Sequence, residues 1–215
     1  MAQKQKGVKR RGSIIILSAP SGSGKSTLVK RLLASAPQLV FSVSHTTRPR
    51  RAGERSGRAY FFVSPAHFKQ MIAARAFAEW ANVFGNLYGT TWKQIRAAQA
   101  AGKDVLLDID VQGHQQVRKR LPEGVSVFVL PPSFAELERR LRRRHSDDPE
   151  VIRRRLQAAR DEMSRWTEYD YLVVNDNLDR ATRALSAVVE AAGFRRKNQQ
   201  DRARKIQKTF GGNIR

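Results

Sequence analysis

Apolar residues in this chain come in short unbroken runs rather than in alternation, at 14–17, 105–110, 125–130 and 171–175. Strands of that kind are covered on both faces. Each run is followed by apolar residues at helical spacing: Leu28, Val29, Leu32 and Leu33 after the first, a helix over 111–120 after the second, and one over 179–192 after the last. Strand and helix in alternation predict a parallel sheet with helices on both faces, an α/β fold. Residues 39–44 give one further strand.

Between 45 and 92 the rhythm breaks. Residues 45–54 form a heavily charged loop, 60–63 are β-rich, and Ser64-Pro65 starts a helix with an N-cap and a proline at N1. That helix carries Phe68, Met71 and Ile72 inward. Residues 77–84 and 87–88 read as two strands joined through Gly85-Asn86, a hairpin signal, and Thr91 opens a helix to about Ala101. The antiparallel look of this stretch predicts a lobe inserted above the sheet. Past 125–130, Pro131-Pro132 stops the strand and Ser133 caps a helix crowded with Arg139, Arg140, Arg142, Arg143 and Arg144. Asp148-Pro149 opens the next, with Val151, Ile152, Leu156, Ala159 and Met163 as its apolar face. The expected organisation is a disordered basic arm at 1–12, a domain at 13–194 and a basic tail at 195–215. Within the domain, 13–44, 93–138 and 165–194 make the core, 45–92 the lobe and 139–164 an arginine-rich helical lid.

Composition sharpens this picture in three ways. At 215 residues and 40% apolar content the chain can bury one sizeable core with a small insert. The absence of cysteine excludes disulfides and thiolate metal sites. No run approaches the length of a membrane span, and the N-terminus lacks a signal-peptide stretch, so a soluble, cytoplasmic protein is expected. The net charge of +22 is the anomaly. Either the whole protein binds nucleic acid, or basic residues surround a polyphosphate site and spill into the ends. Lys4, Lys6, Lys9, Arg10 and Arg11, and a second cluster from Arg195 to Lys208, favour the latter with weak non-specific polyanion binding by the ends.

The chemistry starts at 14–27, where the first strand runs into Ala19-Pro20-Ser21-Gly22-Ser23-Gly24-Lys25-Ser26-Thr27 and then a helix. This resembles the Walker A phosphate loop, G-x-x-x-x-G-K-[ST]. In such a P-loop the backbone N–H groups and the helix N-terminus cradle the phosphates of ATP, Lys25 reaches the β- and γ-phosphates, and the Ser26 hydroxyl ligates Mg²⁺. Ala19 replaces the first glycine and therefore has to take an ordinary backbone conformation. A Gly/Ser-rich linker would carry the same letters but not the flanking strand and helix.

A P-loop leaves the acceptor open. The inserted lobe holds Ser44, Arg48, Arg51, Tyr60, Glu79, Tyr88 and Thr90. The two arginines and two tyrosines supply donors for a phosphate dianion. A glutamate can accept from both N1–H and N2–H₂ of guanine, with the Ser44 and Thr90 hydroxyls available to O6, and adenine offers neither donor. Ser42-Val43-Ser44-His45-Thr46-Thr47-Arg48-x-x-Arg51-x-Gly53-Glu54, Gly85-Asn86-x-Tyr88-Gly89-Thr90 and Asp108-Ile109-Asp110-x-Gln112-Gly113 together resemble the guanylate kinases, in order from about 13 to 192. Arg50 and Leu87 depart from residues frequent in that family.

The resemblance implies a P-loop nucleoside monophosphate kinase that passes the γ-phosphoryl of ATP to GMP or dGMP with Mg²⁺. It implies GMP contacts at Ser44, Arg48, Arg51, Tyr60, Glu79, Tyr88, Thr90 and Asp110. It places Arg51, Arg140, Arg144 and Arg155 with Lys25 around the transferring group, Asn175 near the adenine, and Asp108 with Ser26 at the metal. No oligomeric state is implied. Three other readings compete: a P-loop kinase for a phosphorylated sugar, which would not need Glu79 with Ser44 and Thr90; a phosphopeptide-binding domain of the same fold without catalysis; and a nucleic-acid-binding protein. Residue by residue the plain alternatives are solvated loop charges at Arg48 and Arg51, packing aromatics at Tyr60 and Tyr88, and an exposed strand face at Glu79.

Overall fold

The computed structural model describes residues 12–143 and 149–210. Its core is a parallel sheet in the order β2-β7-β1-β8-β9, built from β1 (Ile14–Ser18), β2 (Leu39–Phe41), β7 (Asp104–Asp108), β8 (Val125–Leu130) and β9 (Tyr171–Val174). Side chains of β1 alternate between two buried layers, as a strand's period of two requires. Ile15 and Leu17 enter the layer with Leu28, Val29 and Leu32 of α1 (Lys25–Ser35) and Ala181, Leu185 and Val189 of α7 (Leu178–Phe194). Ile14 and Ile16 enter the other, with Ile95 and Ala98 of α3 (Trp92–Ala100) and Val117 of α4 (Val111–Arg120). Both faces of β1, β7 and β8 are covered, which is why these strands carry no polar face, whereas the edge strand β9 leaves Tyr171, Leu172 and Val174 exposed.

The insert folds as its own four-stranded sheet, β4-β3-β6-β5, from β3 (His45–Thr46), β4 (Phe61–Phe62), β5 (Phe77–Val83) and β6 (Asn86–Thr91). It is mixed rather than wholly antiparallel, since β3 and β4 pair in parallel. The helix α2 (Pro65–Ala73) starts as its cap predicts, the Ser64 hydroxyl accepting from the His67 N–H at 3.1 Å. The stretch read as a lid, 139–164, takes in the end of α5 (Phe134–Arg142) and all of α6 (Pro149–Met163), and Leu137 and Leu141 of α5 make a small cluster with Ala159 of α6.

Four boundaries differ from the sequence reading, each for a local reason. Residues 39–44 are not one strand. Ser42 donates its N–H to Leu106 O and its hydroxyl to Gln94 Oε1, and there the chain leaves the main sheet for the insert. The β7 strand ends at Asp108, because Asp110 turns to cap α4 and accepts from the Gly113 N–H at 2.8 Å. The hairpin turn is centred on Phe84-Gly85 rather than Gly85-Asn86. Both central residues have positive φ, 50° and 83°, as a two-residue turn that matches strand twist demands. Finally, residues beyond 195 include a further helix, α8 (Arg196–Thr209). Its buried Asn198 donates to Ser13 Oγ at 2.9 Å and to Ala192 O at 2.7 Å. Among the described residues no helix is long and apolar enough to cross a membrane. Of the arm expected at 1–12, residues 1–11 lie outside the described residues, while Gly12 is buried and its carbonyl accepts from Gln99 Nε2 at 3.4 Å.

Candidate active site

The phosphate loop leaves β1 at the C-terminal end of the sheet, where α/β folds place their ligands. Gly22 and Gly24 both hold left-handed φ, 93° and 88°, which only glycine takes without strain. Ala19 is not among the residues of positive φ, so its side chain costs the loop nothing. Gly24 caps α1 with no side chain on the first N–H groups, leaving a helix N-terminus suited to an anion. Lys25 projects from the first turn and pairs with Asp108 at 2.6 Å, and also donates to Ile109 O at 3.2 Å. Asn175 and Arg140 grip the loop from outside. Asn175 Nδ2 and an Arg140 guanidinium nitrogen both donate to Ser23 O, at 2.7 and 3.2 Å.

Across a cleft of about 300 Å³ from this loop stand Ser44, Tyr60, Glu79, Tyr88 and Asp110. Glu79 lies on β5 where the pairing with β6 shifts register between Phe77 and Glu79, and such a bulge re-aims a side chain. The exposed-face alternative for Glu79 does not hold: it is 3% exposed, whereas its neighbour Trp80 is open to solvent. Burial pushes the Glu79 carboxyl up to about 7, against the opposing bond from Thr90. Ser44 Oγ and Thr90 Oγ1 lie 3.3 Å apart, both buried. A carboxylate and two hydroxyls are thus gathered in one buried patch that opens on the cleft.

A second, more open cleft of about 450 Å³ is lined by Ser26, Arg48, Arg51, Arg58, Tyr60, Tyr88 and Asp108. Here the arginines of the lobe face the donor side of the P-loop. Arg48 is held rather than solvated. It pairs with Glu54 at 2.7 Å and lies over the Tyr60 ring, 5.4 Å from its centroid. Glu54 also accepts from the Arg51 N–H at 2.8 Å, so one carboxylate orders both arginine positions. Arg51 itself is exposed. Tyr60 and Tyr88 meet edge to face at 5.6 Å, and burial pushes the Tyr60 phenol up to about 12, keeping it a donor.

The lid is placed less simply. Arg140 spends its guanidinium on Glu136, Ser23 O and Asn175 O, and Arg155 is half-buried on α6. Arg144 lies outside the described residues. One lid residue had escaped the sequence: Glu162 on α6, which lines the first cleft and accepts from the Ser21 N–H at 3.3 Å. Burial raises its carboxyl to about 7. Its signal was the seven-residue spacing from Arg155, two helical turns along one face. Arg58 and Glu54 had also gone without a role.

As a place for Mg²⁺, the site offers the Ser26 hydroxyl and the Asp108 carboxylate. No group of three or more histidine, cysteine or acidic side chains that could hold a metal occurs among the described residues. Two side-chain oxygens fit Mg²⁺, which keeps several waters and takes one or two protein oxygens beside substrate phosphates.

Comparison with known proteins agrees with this arrangement. A family model described as guanylate kinase matches residues 11–192. The guanylate kinase of Rhodopseudomonas palustris (strain BisB5) is 52% identical over 194 residues, 90% of this chain and 89% of that protein. That of Neisseria gonorrhoeae is 52% identical over 190 residues, 88% of this chain and 93% of the relative. The crystal structure of guanylate kinase from Anaplasma phagocytophilum superposes with a TM-score of 0.75 at 34% identity, covering 89% of this chain and 92% of that one. A P-loop facing a buried carboxylate and a pair of lobe arginines, on a chain matched almost end to end, places this protein in the guanylate kinase family.

Proposed function

We propose that the chain transfers the γ-phosphoryl group of ATP to GMP or dGMP by direct in-line displacement, yielding ADP and GDP or dGDP. The observation that carries the acceptor is the buried carboxylate of Glu79. It carries no ion pair among the described residues and shares its patch with Ser44 and Thr90. A buried charge without a counter-ion is costly, and guanine's N1–H and N2–H₂ are the donors that would satisfy it. Arg48, Arg51, Tyr60 and Tyr88 take the acceptor phosphate, and Asp110 sits at the guanine end of the cleft.

On the donor side, backbone N–H groups of the loop after β1 and of the first turn of α1 cradle the ATP phosphates, Lys25 holds the β- and γ-phosphates, and Asn175 lies near the adenine. Phosphoryl transfer passes through a loose transition state, so positioning and charge neutralisation suffice and no covalent nucleophile is needed. When bound with ATP at Ser26 and Asp108, Mg²⁺ supplies further neutralisation of phosphate charge. Lys25 then exchanges its partner Asp108 for phosphate oxygens. Arg140, Arg144 and Arg155 close on the moving group, Arg140 by releasing the carbonyls it now holds. The lobe and the lid stand on separate inserts, so their closure assembles the site and expels water.

The test is a coupled assay of ATP with each nucleoside monophosphate and with sugar phosphates in turn. Activity confined to GMP and dGMP upholds the reading, and a preference for a sugar phosphate overturns it. A cytoplasmic location is the setting in which ATP and GMP meet.

The ends of the chain make a separate prediction. Lys4, Lys6, Lys9 and Arg10 at one end, and Arg202, Arg204, Lys205, Lys208 and Arg215 at the other, contribute heavily to the charge of +22. Arg195 and Lys197 are different: both donate to Glu123 O. A chain of residues 11–200, which keeps Asn198, is expected to retain full kinase activity and lose most salt-sensitive binding to RNA. A salt titration of RNA binding beside the kinase assay checks both, since adhesion of this kind falls steeply with salt.

A further inference from the structure

Gly113 stands in the first turn of α4, and nothing in its backbone asks for glycine. It lies in an α-helix and is not among the glycines of positive φ. Alanine is the better helix former. The reason for glycine is spatial. A Cβ at this position would stand 2.6 Å from Oε2 of Glu79, 3.2 Å from its Cδ and 3.2 Å from Oδ1 of Asp110. Real Cβ atoms essentially never approach so closely, and the atom in the way is the end of a side chain rather than backbone. The Glu79 carboxylate therefore lies directly against the helix at the point where the side chain is missing.

We propose that Gly113 is a specificity-determining positioning residue: by lacking a Cβ it leaves the space in which the Glu79 carboxylate sits, and so sets the discrimination for guanine. This rests on the reading of Glu79 as the group that accepts from guanine. The geometry makes the device selective. Any Cβ is accommodated by moving the carboxylate, since the helix itself gains from alanine. Hydrogen bonds weaken steeply with misalignment, so a displaced carboxylate loses its fit to two parallel donors while the fold stays intact. Asp110, at the same Cβ, stays anchored by its bond from the Gly113 N–H.

The experiment compares wild type, Gly113→Ala, Glu79→Gln, Glu79→Asp and the double variant Gly113→Ala/Glu79→Asp, each with GMP and with IMP, which keeps N1–H but lacks the N2 amine. For Gly113→Ala we expect about a tenfold loss of kcat/KM for GMP, carried by KM, and a collapsed preference for GMP over IMP. KM for ATP should stay at the wild-type value, and the melting temperature at or above it. Glu79→Asp withdraws the carboxylate by one methylene, so in the double variant the two losses should fall well short of additive.

Gly113→Ala with an unchanged GMP-to-IMP ratio, while Glu79→Gln is impaired, overturns the inference. Equal losses on every substrate, or strictly additive losses in the double variant, overturn it too. An unimpaired Glu79→Gln would instead overturn the guanine reading itself. If Gly113→Ala fails to fold, recovery of folding in the double variant supports the clash, and failure of both overturns it.

Discussion

Lys25→Ala abolishes phosphoryl transfer, by about a thousandfold or more, while GMP binds within about twofold of its usual affinity. The size follows from what Lys25 does. A fixed positive group that meets developing phosphate charge in a water-excluded site contributes on the order of 10²–10³ or more to the rate. The selectivity follows from where it lies. Its partners are Asp108, the last residue of β7, and Ile109 O just beyond it, whereas Glu79 and Thr90 lie on the inserted sheet and Ser44 just before its strand β3. Steady-state assays with ATP and GMP, beside calorimetric titration of GMP alone, separate the two effects. Near-normal turnover in the variant would remove the P-loop from the donor site.

Glu79→Gln is the second large effect. The amide accepts at one oxygen only and turns an N–H₂ towards guanine's own donors. An unsatisfied buried donor costs about 1–3 kcal/mol, so kcat/KM for GMP falls by about tenfold to a hundredfold, with KM for ATP unchanged. A pH dependence comes with it. Burial holds the Glu79 carboxyl at about 7 in the free protein, so lowering the pH through 7 converts it to the protonated form, which no longer accepts at both oxygens. The efficiency with GMP therefore declines on the acid side of about pH 7, where free-enzyme groups govern kcat/KM. Glu162 titrates in the same window. The acid limb that disappears in Glu79→Gln, by difference from wild type, belongs to Glu79. Identical profiles in the two proteins would deny it that role.

The fold was largely legible because its strands are apolar on both faces and its helices carry explicit starts. Ser64 and Ser133 each cap a helix with a side-chain bond. What escaped was set by tertiary contacts. The break between β2 and β3 depends on Gln94, fifty-two residues away from Ser42. The helix α8 reads as a charged tail because its one buried anchor, Asn198, is polar and finds its partner 185 residues back. In the cleft, residue types at motif spacing pointed to Lys25, Asp108, Ser44, Glu79 and Thr90. Glu162 shares a helix face with Arg155 but belongs to none of these motifs, and only the packing of α6 brings it to Ser21. Arg140 and Asn175 are named by the resemblance, but their shared bond to Ser23 O was out of reach, since any residue at 23 would present that carbonyl.

The tie between Asn198 and Ser13 has a geometric consequence. Ser13 precedes β1, and the phosphate loop follows it, so that tie and the cleft lie at opposite ends of a strand about 16 Å long. Ser13 and the start of α8 therefore lie at the end of the domain away from the cleft. A molecule held at that end by a polyanionic surface would leave the cleft open to solution. Bound to heparin-coated beads, the protein should turn over GMP with the KM it has when free.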